Sequence, residues 1–299
     1  MSQKAIVFGG SGFLGSHVAD ELSSRGMSVT IFDKNPSPYL QKSQKIIHGD
    51  ILDLDSVVNA CTGMDFVYNF AGLADINEAK DKPLLTAQLN IIGHTNILEA
   101  AKAAQVRRFV YASTVYVYSE SGSFYRVSKQ TGEKYTELYW DKYNLPYTIL
   151  RYGSLYGPRA DHRNAIYRFI DSAIREGKIH YKGTGDELRE YIHVGDASRA
   201  SVDILKPEFE NQHIVITGPQ LLRIRDVITM ISEMLPGSGV KAAYENEDVE
   251  AHYNITPYAF KPRHGKKLLV NPFVDMGQGV LECVEHQYHE AQKAELTEL

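Results

Sequence analysis

The sequence predicts an α/β protein built on a doubly wound parallel sheet. Residues Ala5 to Phe8 form a continuous apolar run, which is typical of a strand that helices cover on both faces. A glycine-rich loop and the start of a helical pattern near Phe13 come directly after this run. Apolar runs and helical patterns then alternate as far as Thr114, which is the rhythm of strand–helix–strand units.

The loop after the first strand is predicted to bind a pyrophosphate. Gly10, Gly12 and Gly15 fit the spacing G-x-G-x-x-G, while Gly9, Gly12 and Gly15 fit a variant with three-residue steps. Glycines at these places allow a tight turn, a close approach of the backbone to a phosphate, and close packing of the next helix. That helix, which Gly26 would end, would point its first N–H groups at the anion. Because turns use glycine for other reasons, the prediction also needs support from the second strand.

A second apolar run, Val29 to Phe32, ends in Asp33, near the distance at which a carboxylate meets the adenosine ribose. Strand, loop, helix, strand and acid in this order predict a dinucleotide site of the Rossmann type. Asp33 would repel a 2'-phosphate, so we expect NAD rather than NADP. Lys34 could instead serve such a phosphate, which leaves NADP as the less favoured alternative.

The next two strands bring further residues to the same edge of the sheet. A third strand around Ile46 ends in a loop with Asp50, which could either accept from an adenine amino group or begin the turn before a short helix. A fourth strand, Phe66 to Phe70, precedes Ala71 and Gly72. These small residues would admit a ligand close to the backbone.

A long helix and a fifth strand complete the predicted sheet. Pro83 fits the first turn of a helix that runs to about Ala104. Phe109 to Ala112 form the fifth strand, which delivers Ser113 and Thr114 to the edge where ligands bind.

A tyrosine and a lysine four residues apart form the candidate acid/base pair. Ser121 or Ser123 can cap a helix that carries Tyr125 and Lys129. The two side chains share one helical face, so an ammonium can lie beside a phenol. We expect Lys129, with the charge of an oxidised nicotinamide, to lower the pKa of Tyr125 from its usual value near 10. With 19 tyrosines, one such spacing is expected by chance, and its weight comes from its position after Thr114.

Length and composition argue against several other classes of protein. The 299 residues suffice for one large domain or two smaller ones, and 43% hydrophobic with 23% charged residues is a globular composition. A net charge of -5 offers no footprint for nucleic acid. Because Cys61 and Cys283 are the only cysteines, we expect no disulfide framework and a reducing, cytoplasmic setting. No apolar run reaches membrane-spanning length, so no membrane partner is expected.

Five segments in order resemble the extended short-chain dehydrogenase/reductases, specifically the NAD-dependent nucleotide-sugar epimerase/dehydratase group that includes UDP-glucose 4-epimerase-like enzymes. They are GGSGFLGSH at Gly9 to His17, NIIGHTNILEAA at Asn90 to Ala101, YRVSK at Tyr125 to Lys129, LRYGSLYGP at Leu150 to Pro158 and REYIHVGD at Arg189 to Asp196. The resemblance covers nearly the whole chain. It implies a Rossmann domain at 1–165, with a returning segment around 188–218, and a smaller C-terminal substrate-binding lobe at 166–299.

The resemblance also implies roles for single residues. Tyr125 would be the acid/base, Lys129 its modulator and a ribose ligand, and Thr114 the hydroxyl that bonds the reacting sugar oxygen. Substrate contacts are also expected at Ser154, Arg189 and Arg263, with Arg189 on a phosphate of the nucleotide. The expected cofactor contacts are Gly9, Gly12, Phe13, Leu14, Gly15, Asp33, Lys34, Asp50, Ile51, Phe70, Ala71, Gly72, Tyr125, Lys129 and Tyr152.

Beyond Pro158 the pattern is less regular. It predicts a helix at Tyr167 to Ile174 and short strands at Ile179 to Tyr181 and at Tyr191 to Val194. This change of pattern is consistent with the smaller lobe that the resemblance implies.

The tail carries a pattern that resembles a metal site. Cys283, His286 and His289 are spaced three residues apart. On a helix these side chains would fan over about 120 degrees, which is too wide for three ligands to converge easily. We therefore expect no metal.

Two departures from the family pattern bear on the reaction. The family usually has a longer loop before the catalytic tyrosine, whereas Tyr125 comes only seven residues after Tyr118, which opens or reshapes the pocket. Dehydrating relatives carry an Asp-Glu pair directly after the hydroxyl residue and decarboxylating relatives keep the glutamate, but this chain has Val115 and Tyr116. We therefore expect an NAD-dependent nucleotide-sugar epimerase that oxidises its sugar to a keto-sugar and reduces it again. An NAD(P)H-dependent reductase of a keto-sugar or other carbonyl is the alternative, and a dehydratase or a non-catalytic dinucleotide sensor is less favoured.

The resemblance finally implies a homodimer. In the family, the helix that bears the catalytic tyrosine and the preceding long helix commonly pair across a two-fold axis into a four-helix bundle. Two long helices on one face of the sheet would otherwise expose a large apolar stripe.

Overall fold

The computed structural model describes residues 2–235, 241–245 and 252–257 of the chain. Its strands are β1 (Lys4–Phe8), β2 (Ser28–Asp33), β3 (Lys45–His48), β4 (Phe66–Asn69), β5 (Arg108–Thr114), β6 (Tyr147–Tyr152), β7 (Ser154–Tyr156), β8 (Lys178–Lys182), β9 (Leu188–His193), β10 (Gln212–Ile216), β11 (Leu221–Arg223) and β12 (Lys241–Glu245). Its α-helices are α1 (Phe13–Ser24), α2 (Leu54–Cys61), α3 (Ile76–Asp81), α4 (Pro83–Ala87), α5 (His94–Ala103), α6 (Ser123–Tyr143), α7 (Ala165–Glu176), α8 (Val194–Asp203) and α9 (Ile224–Met234).

Seven of these strands form one parallel sheet. Their order is β3-β2-β1-β4-β5-β6-β10, and every neighbouring pair runs parallel. The chain leaves the sheet at β3, on one edge, and re-enters beside β1 at β4, so the switch point lies between β1 and β4. The predicted fold class, a doubly wound α/β sheet, is confirmed.

Two apolar cores lie on opposite faces of this sheet. Along β1, Ile6 and Phe8 point to the face that α2, α5 and α6 cover, while Ala5 and Val7 point to the face that α1 and α8 cover. All four side chains are fully buried. Burial of both faces explains why the strand shows no alternation of polar and apolar residues.

The helix expected from Pro83 to about Ala104 is a continuous run of three segments. A π-helical stretch, Gln88–Gly93, separates α4 from α5. Asn90 lies in this stretch, where its carboxamide donates to the Leu73 carbonyl at 2.9 Å and accepts from the Leu73 N–H at 2.7 Å. The wider turn therefore carries a side chain that fixes the loop after β4, a feature that apolar periodicity does not reveal.

Neither Ser121 nor Ser123 caps α6, so that expectation is wrong. Gly122 occupies the N-cap position in a left-handed conformation, with φ of 99°, and no side chain caps the helix. Instead, the Ser119 hydroxyl accepts from the Ser121 N–H at 2.9 Å, and the Arg126 guanidinium donates to the Ser119 carbonyl at 2.7 Å. The short loop before α6 is stabilised by these bonds rather than by a serine cap.

After β6 the chain contributes β10 and α8 to the main sheet and its cover, and most of its other elements form a second, smaller group. β7, β9 and β11 form a three-stranded sheet, and β8 pairs with β12. α7, β8 and α9 share an apolar core that contains Phe169, Ile179 and Ile228. The strand expected at Tyr191 to Val194 begins earlier, at Leu188, and ends at His193, because α8 begins at Val194. The domain boundary near residue 165 stays a prediction.

Several expectations fall outside the described residues, namely those for Arg263 and for Cys283, His286 and His289. Within the described ranges, no helix has both the length and the apolar composition to cross a membrane. The same ranges contain no cluster of His, Cys, Asp and Glu that could hold a metal ion. Cys61 is a buried free thiol whose pKa burial raises to about 12. A cytoplasmic setting stays a prediction.

A buried histidine links the fourth strand to the two helices that pack beside it. The Asn69 amide donates to Nδ1 of His94 over 3.0 Å, and Nε2 of His94 donates to the Gly132 carbonyl over 3.1 Å. The imidazole packs on the Tyr111 ring with centroids 4.2 Å apart. Burial, and to a lesser extent the Lys129 charge, lowers the pKa of His94 to about 3.

We expect acid to destabilise the protein through His94. The unfolded residue titrates near 6.5 and the folded residue near 3, so between these values the unfolded state binds the extra proton. Stability should therefore fall as the pH falls, by up to about 1.4 kcal/mol per pH unit. His94→Gln keeps a hydrogen-bonding side chain without a titrating ring. Its free energy of unfolding in urea should fall less than that of the native protein between about pH 7 and about pH 5, and equal losses would contradict the assignment.

Candidate functional site

Gly9, in the loop between β1 and α1, and Gly15, in the first turn of α1, leave no room for a side chain larger than hydrogen. A Cβ atom on Gly9 would lie 2.7 Å from the Ala71 backbone nitrogen, and one on Gly15 would lie 2.2 Å from the Gly9 carbonyl oxygen. Gly9 also has a φ of 76°, which favours glycine. The loop is therefore packed tightly against the end of β4.

The helix after this loop has a free N-terminus. Gly12 is its N-cap residue, and no side chain caps it. Phe13 and Leu14 form the beginning of α1 and are partly exposed. The first N–H groups of a helix have no partner inside the helix, so this end of α1 can bind an anion.

Asp33 ends β2 beside the glycine loop. One carboxylate oxygen accepts from the Ser11 N–H and the other from the Asn35 N–H, each over 3.0 Å. A carboxylate can accept about four hydrogen bonds, so capacity remains for the hydroxyls of a ribose. The Lys34 side chain is 77% exposed and lies 3.3 Å from the Asp50 carboxylate, which partly compensates its charge.

Asp50 begins the turn before α2. Its carboxylate accepts from the Leu52 N–H at 3.0 Å, and this bond, with a smaller contribution from Lys34, holds the pKa of Asp50 below its ordinary value. Asp50 therefore begins the turn before the helix, which is one of the two roles expected from the sequence. The other role, contact with an adenine amino group, stays a prediction. Ile51 is buried, with its side chain against Gly93 of the π-helical stretch.

Residues Phe70, Ala71 and Gly72 come after β4 at the same edge. The Phe70 N–H donates to the Phe8 carbonyl at 2.9 Å, which continues the ladder between β1 and β4. Gly72 has a φ of 144° and faces the carboxamide of Asn90. The structure thus brings these three residues next to the glycine loop.

The structure also brings Thr114, Tyr125 and Lys129 together where β5 meets α6. Thr114 is 6% exposed, and its hydroxyl lies near enough to the phenol of Tyr125 to act against the rise of the Tyr125 pKa. The Lys129 ammonium donates to the Ala112 carbonyl at 2.8 Å and lies 5.9 Å from the centre of the Tyr125 ring. The ammonium therefore lies beside the phenol, while its hydrogen bond goes to the backbone of β5.

The protein's own groups do not lower the pKa of Tyr125, so the expected lowering would depend on the charge of the oxidised nicotinamide and stays a prediction. Burial raises the pKa of Tyr125 to about 12, although the hydrogen bond with Thr114 acts in the opposite direction. Burial likewise lowers the pKa of Lys129 to about 8, against the attraction of the Glu133 carboxylate. Both shifts have one cause, because removal of water disfavours the charged form of each group. The phenolate therefore needs a positive charge beyond that of Lys129.

A buried ion pair supports these residues from behind. The Arg151 guanidinium donates to both oxygens of Glu133, at 2.9 and 2.6 Å, and the Ser113 hydroxyl donates to the same carboxylate at 2.5 Å. Arg151 also donates to the hydroxyl of Tyr118. β5, β6 and α6 are thereby joined next to Thr114.

Tyr152 and Ser154 lie on either side of the end of β6. The Tyr152 hydroxyl lies 2.6 Å from that of Ser201 on α8, and the side chain is buried, so its polar end is directed into the core. Ser154 begins β7, pairs with Tyr191 of β9 and is partly exposed. Their contacts with cofactor and substrate stay predictions.

Arg189 is a nearly buried cation in this region. It is 7% exposed, its guanidinium lies 4.4 Å from the centre of the Tyr253 ring, and it donates to the Leu188 carbonyl at 3.0 Å. Within the part of the chain that the structure describes, no carboxylate forms an ion pair with it. Such a cation can still receive an anion.

Sequence reasoning missed residues 252–257 as part of this region. The Tyr253 ring packs on the Tyr116 ring with centroids 4.5 Å apart, and Nδ1 of His252 lies 2.6 Å from the Tyr116 hydroxyl. The Asn254 carbonyl accepts from the Leu188 N–H of β9 at 2.8 Å. His252 and Tyr116 are 136 positions apart in the chain, and no motif or periodicity marks the later segment.

Comparisons with known proteins agree with this architecture. A family model described as "NAD dependent epimerase/dehydratase family" matches residues 5–217. The chain is 26% identical to a putative UDP-glucose 4-epimerase from Methanocaldococcus jannaschii, over 93% of this chain and 96% of that protein. It is 29% identical to a UDP-N-acetyl-alpha-D-glucosaminuronate decarboxylase from Bacillus cytotoxicus, over 84% of this chain and 86% of that protein.

Among solved structures, the UDP-glucuronic acid 4-epimerase from Bacillus cereus, in complex with UDP-glucuronic acid and NAD, has a similar fold. It is 25% identical, superimposes with a TM-score of 0.79, and the match covers 86% of this chain and 90% of that one.

We expect Asp33 to decide between NAD and NADP. Asp33→Asn removes the charge that repels a 2'-phosphate but keeps an oxygen for the Ser11 N–H. In calorimetric titration the variant should bind NADP about tenfold more tightly than the native protein does, and NAD more weakly. As a control, Lys34→Gln should change NAD affinity little, because Lys34 lies against Asp50. Equal affinities of the native protein for the two cofactors would contradict the prediction.

Proposed function

Because this chain belongs to the NAD-dependent epimerase/dehydratase family, we propose that it is a nucleotide-sugar epimerase that oxidises its sugar to a keto-sugar and reduces it again. The chain is an enzyme of the extended short-chain dehydrogenase type. One observation carries the finer proposal: the Thr114 hydroxyl acts on the Tyr125 phenol, and the Lys129 ammonium lies 5.9 Å from the centre of the Tyr125 ring. Two relatives named as 4-epimerases support the choice of reaction.

NAD fits the residues at the carboxyl edge of the sheet. The backbone packs so closely at Gly9 and Gly15 that neither position admits a side chain, which is the glycine requirement of a tight pyrophosphate-binding turn. The uncapped start of α1 suits the pyrophosphate, and the spare acceptor capacity of Asp33 suits a ribose. When bound, NAD accepts a hydride from a sugar carbon and later returns it.

Tyr125 would move the proton in both directions. As a phenolate, its oxygen takes the proton of the sugar hydroxyl, while the hydrogen on the carbon that bears this hydroxyl leaves as a hydride, with both electrons of its bond. As a phenol, it returns the proton to the same oxygen when the keto-sugar is reduced on its other face. The Thr114 hydroxyl would hold that oxygen, and the Lys129 ammonium, 5.9 Å from the centre of the Tyr125 ring, would stabilise the phenolate.

The residues after Thr114 argue against elimination or decarboxylation. Val115 is fully buried and apolar, and Tyr116 comes next, so this turn carries no carboxylate where those relatives have one. A keto-sugar reductase would use Thr114, Tyr125 and Lys129 in the same way. It differs from an epimerase in consuming its reduced cofactor, and turnover distinguishes the two.

Arg189 and Ser154 are the proposed substrate ligands among the described residues. Arg189 has a guanidinium face on Tyr253 and no carboxylate partner within the described ranges, which leaves its charge for a phosphate of the nucleotide. Ser154 offers a hydroxyl on β7, one strand from Arg189 in the small sheet.

We also propose that two copies pair through α6 and the helical run before it. Apolar side chains recur along the outer face of α6 at helical spacing, and others lie on the neighbouring run. They are 41% to 71% exposed and comprise Phe124, Val127, Tyr135, Leu138, Leu84 and Ile92. A contiguous apolar face of this kind is typical of an interface between copies.

The proposed reaction is tested with a panel of nucleotide sugars followed by NMR. We expect one sugar to yield its epimer without net cofactor consumption. Tyr125→Phe should lower the rate at least about a hundredfold, because it removes the oxygen that takes the proton of the sugar hydroxyl. Tyr135→Phe, farther along the same helix, serves as the matched control. Accumulation of a 4-keto-6-deoxy sugar would refute the assignment, and a stoichiometric requirement for NADH would favour the reductase.

The proposed pairing is tested by light scattering at micromolar concentration. The native protein should have twice the 33.6 kDa of one chain. Leu138→Arg should give the monomer mass, because it places a charge in the apolar face of α6. Ile174→Arg, on α7 and equally exposed to solvent, should leave the dimer intact. A monomeric native protein would contradict the proposal.

A further inference from the structure

A tyrosine–histidine pair lies beside the proposed acid/base, and none of the steps above uses it. Tyr116 lies two residues after Thr114, and its N–H donates to the Thr114 hydroxyl at 3.3 Å. Its ring meets the Tyr125 ring edge to face, with centroids 6.4 Å apart. Its own hydroxyl lies 2.6 Å from Nδ1 of His252. A phenol bonded to an imidazole is thus in ring contact with Tyr125.

The surroundings keep this pair uncharged and in place. The Tyr253 ring contacts both the Tyr116 ring and the Arg189 guanidinium. Burial and then the charges of Arg189 and Arg168 lower the pKa of His252, while Asp75 acts in the opposite direction. Burial raises the pKa of Tyr116 well above its ordinary value. At neutral pH the phenol is therefore protonated and the imidazole is free to accept.

Tyr111, which lies near Lys129, does not offer the same chemistry as Tyr116. Tyr111 is 1% exposed, and its ring packs between the Lys129 ammonium and the His94 imidazole inside the core. Tyr116, by contrast, is partly exposed. Of these two phenols, only Tyr116 combines a histidine partner for its hydroxyl with partial exposure.

We propose that Tyr116, acting through His252, is a second acid/base of this site, which exchanges a proton on the sugar carbon next to the transient carbonyl. The inference rests on the proposed function, because a carbon–hydrogen bond becomes acidic only beside a carbonyl. Tyr116 is the residue that would touch the substrate. His252 is a positioning residue that accepts the proton Tyr116 gives up.

The transfer balances without a further reactant. With the ring hydrogen on Nε2, the Tyr116 O–H donates to Nδ1 of His252. The Tyr116 oxygen takes the proton from the sugar carbon as its own proton passes to Nδ1, and the electron pair of the carbon–hydrogen bond becomes the enolate. Tyr125, which is a phenol while the carbonyl exists, and Thr114 hold the enolate oxygen. The reverse path returns a proton to carbon and leaves the imidazole neutral.

The experiment is turnover in deuterium oxide by the native enzyme with the nucleotide sugar that it epimerises. NMR and mass spectrometry should find deuterium on the carbon next to the inverted one. The deuterium incorporated per epimerisation should fall at least about tenfold in Tyr116→Phe and several-fold in His252→Gln. Tyr253→Phe is the matched control, because it also removes one hydroxyl but keeps the ring that packs on Tyr116, and it should leave this ratio unaltered. A merely structural role of Tyr116 would change the rate without changing the ratio.

A second arm supplies the corresponding nucleotide keto-sugar directly, with an enzyme-free sample as the baseline. Uptake of deuterium by the native enzyme above that baseline, and its loss in both Tyr116→Phe and His252→Gln, supports the inference even where no epimer forms. Epimerisation without deuterium at the neighbouring carbon overturns the inference and leaves the proposed function standing. Uptake that survives in both variants also overturns it.

Discussion

The site depends on the contact between one face of α6 and the end of β5. The Lys129 ammonium is fixed on the Ala112 carbonyl, and one turn to either side of it lie Tyr125 and Glu133. Glu133 is held in turn by Arg151 of β6. Gly132 makes the approach possible, because a Cβ atom there would lie 2.3 Å from the Tyr111 hydroxyl on β5. Helical spacing thus fixes Tyr125 beside Thr114 at the strand end.

The burial that fixes Tyr125 and Lys129, the proposed acid/base pair, also opposes their charged forms. It raises the pKa of Tyr125 to about 12 and lowers that of Lys129 to about 8. Because β1 and β5 run parallel in one sheet, the glycine loop after β1 and the end of β5 lie at the same edge of that sheet. A cationic cofactor ring held there would restore the phenolate, so cofactor binding and proton transfer are coupled in this account.

Much of this arrangement could be predicted from sequence, and the exceptions share a physical cause. The apolar run at Ala5 to Phe8, the glycine spacing and the Tyr125–Lys129 spacing are local patterns, and periodicity reads them directly. The π-helical stretch around Asn90 and the loop before α6 depend on hydrogen bonds of Asn90 and Ser119. The type of these residues does not predict such bonds. The contact between Tyr116 and His252 joins residues 136 positions apart, and the pKa of Tyr125 is raised by burial. Neither feature can be derived from the spacing of residues in the sequence.

In the proposed reaction, hydrogen leaves and returns to the same sugar carbon while Tyr125 carries the proton. The most direct test is turnover of a nucleotide sugar that bears deuterium at the carbon to be inverted, mixed with the same sugar carrying carbon-13 and no deuterium. We expect a primary isotope effect and an epimer that keeps its own deuterium at that carbon. Loss of the deuterium to solvent, or its transfer to the carbon-13 sugar, would contradict the proposed reaction.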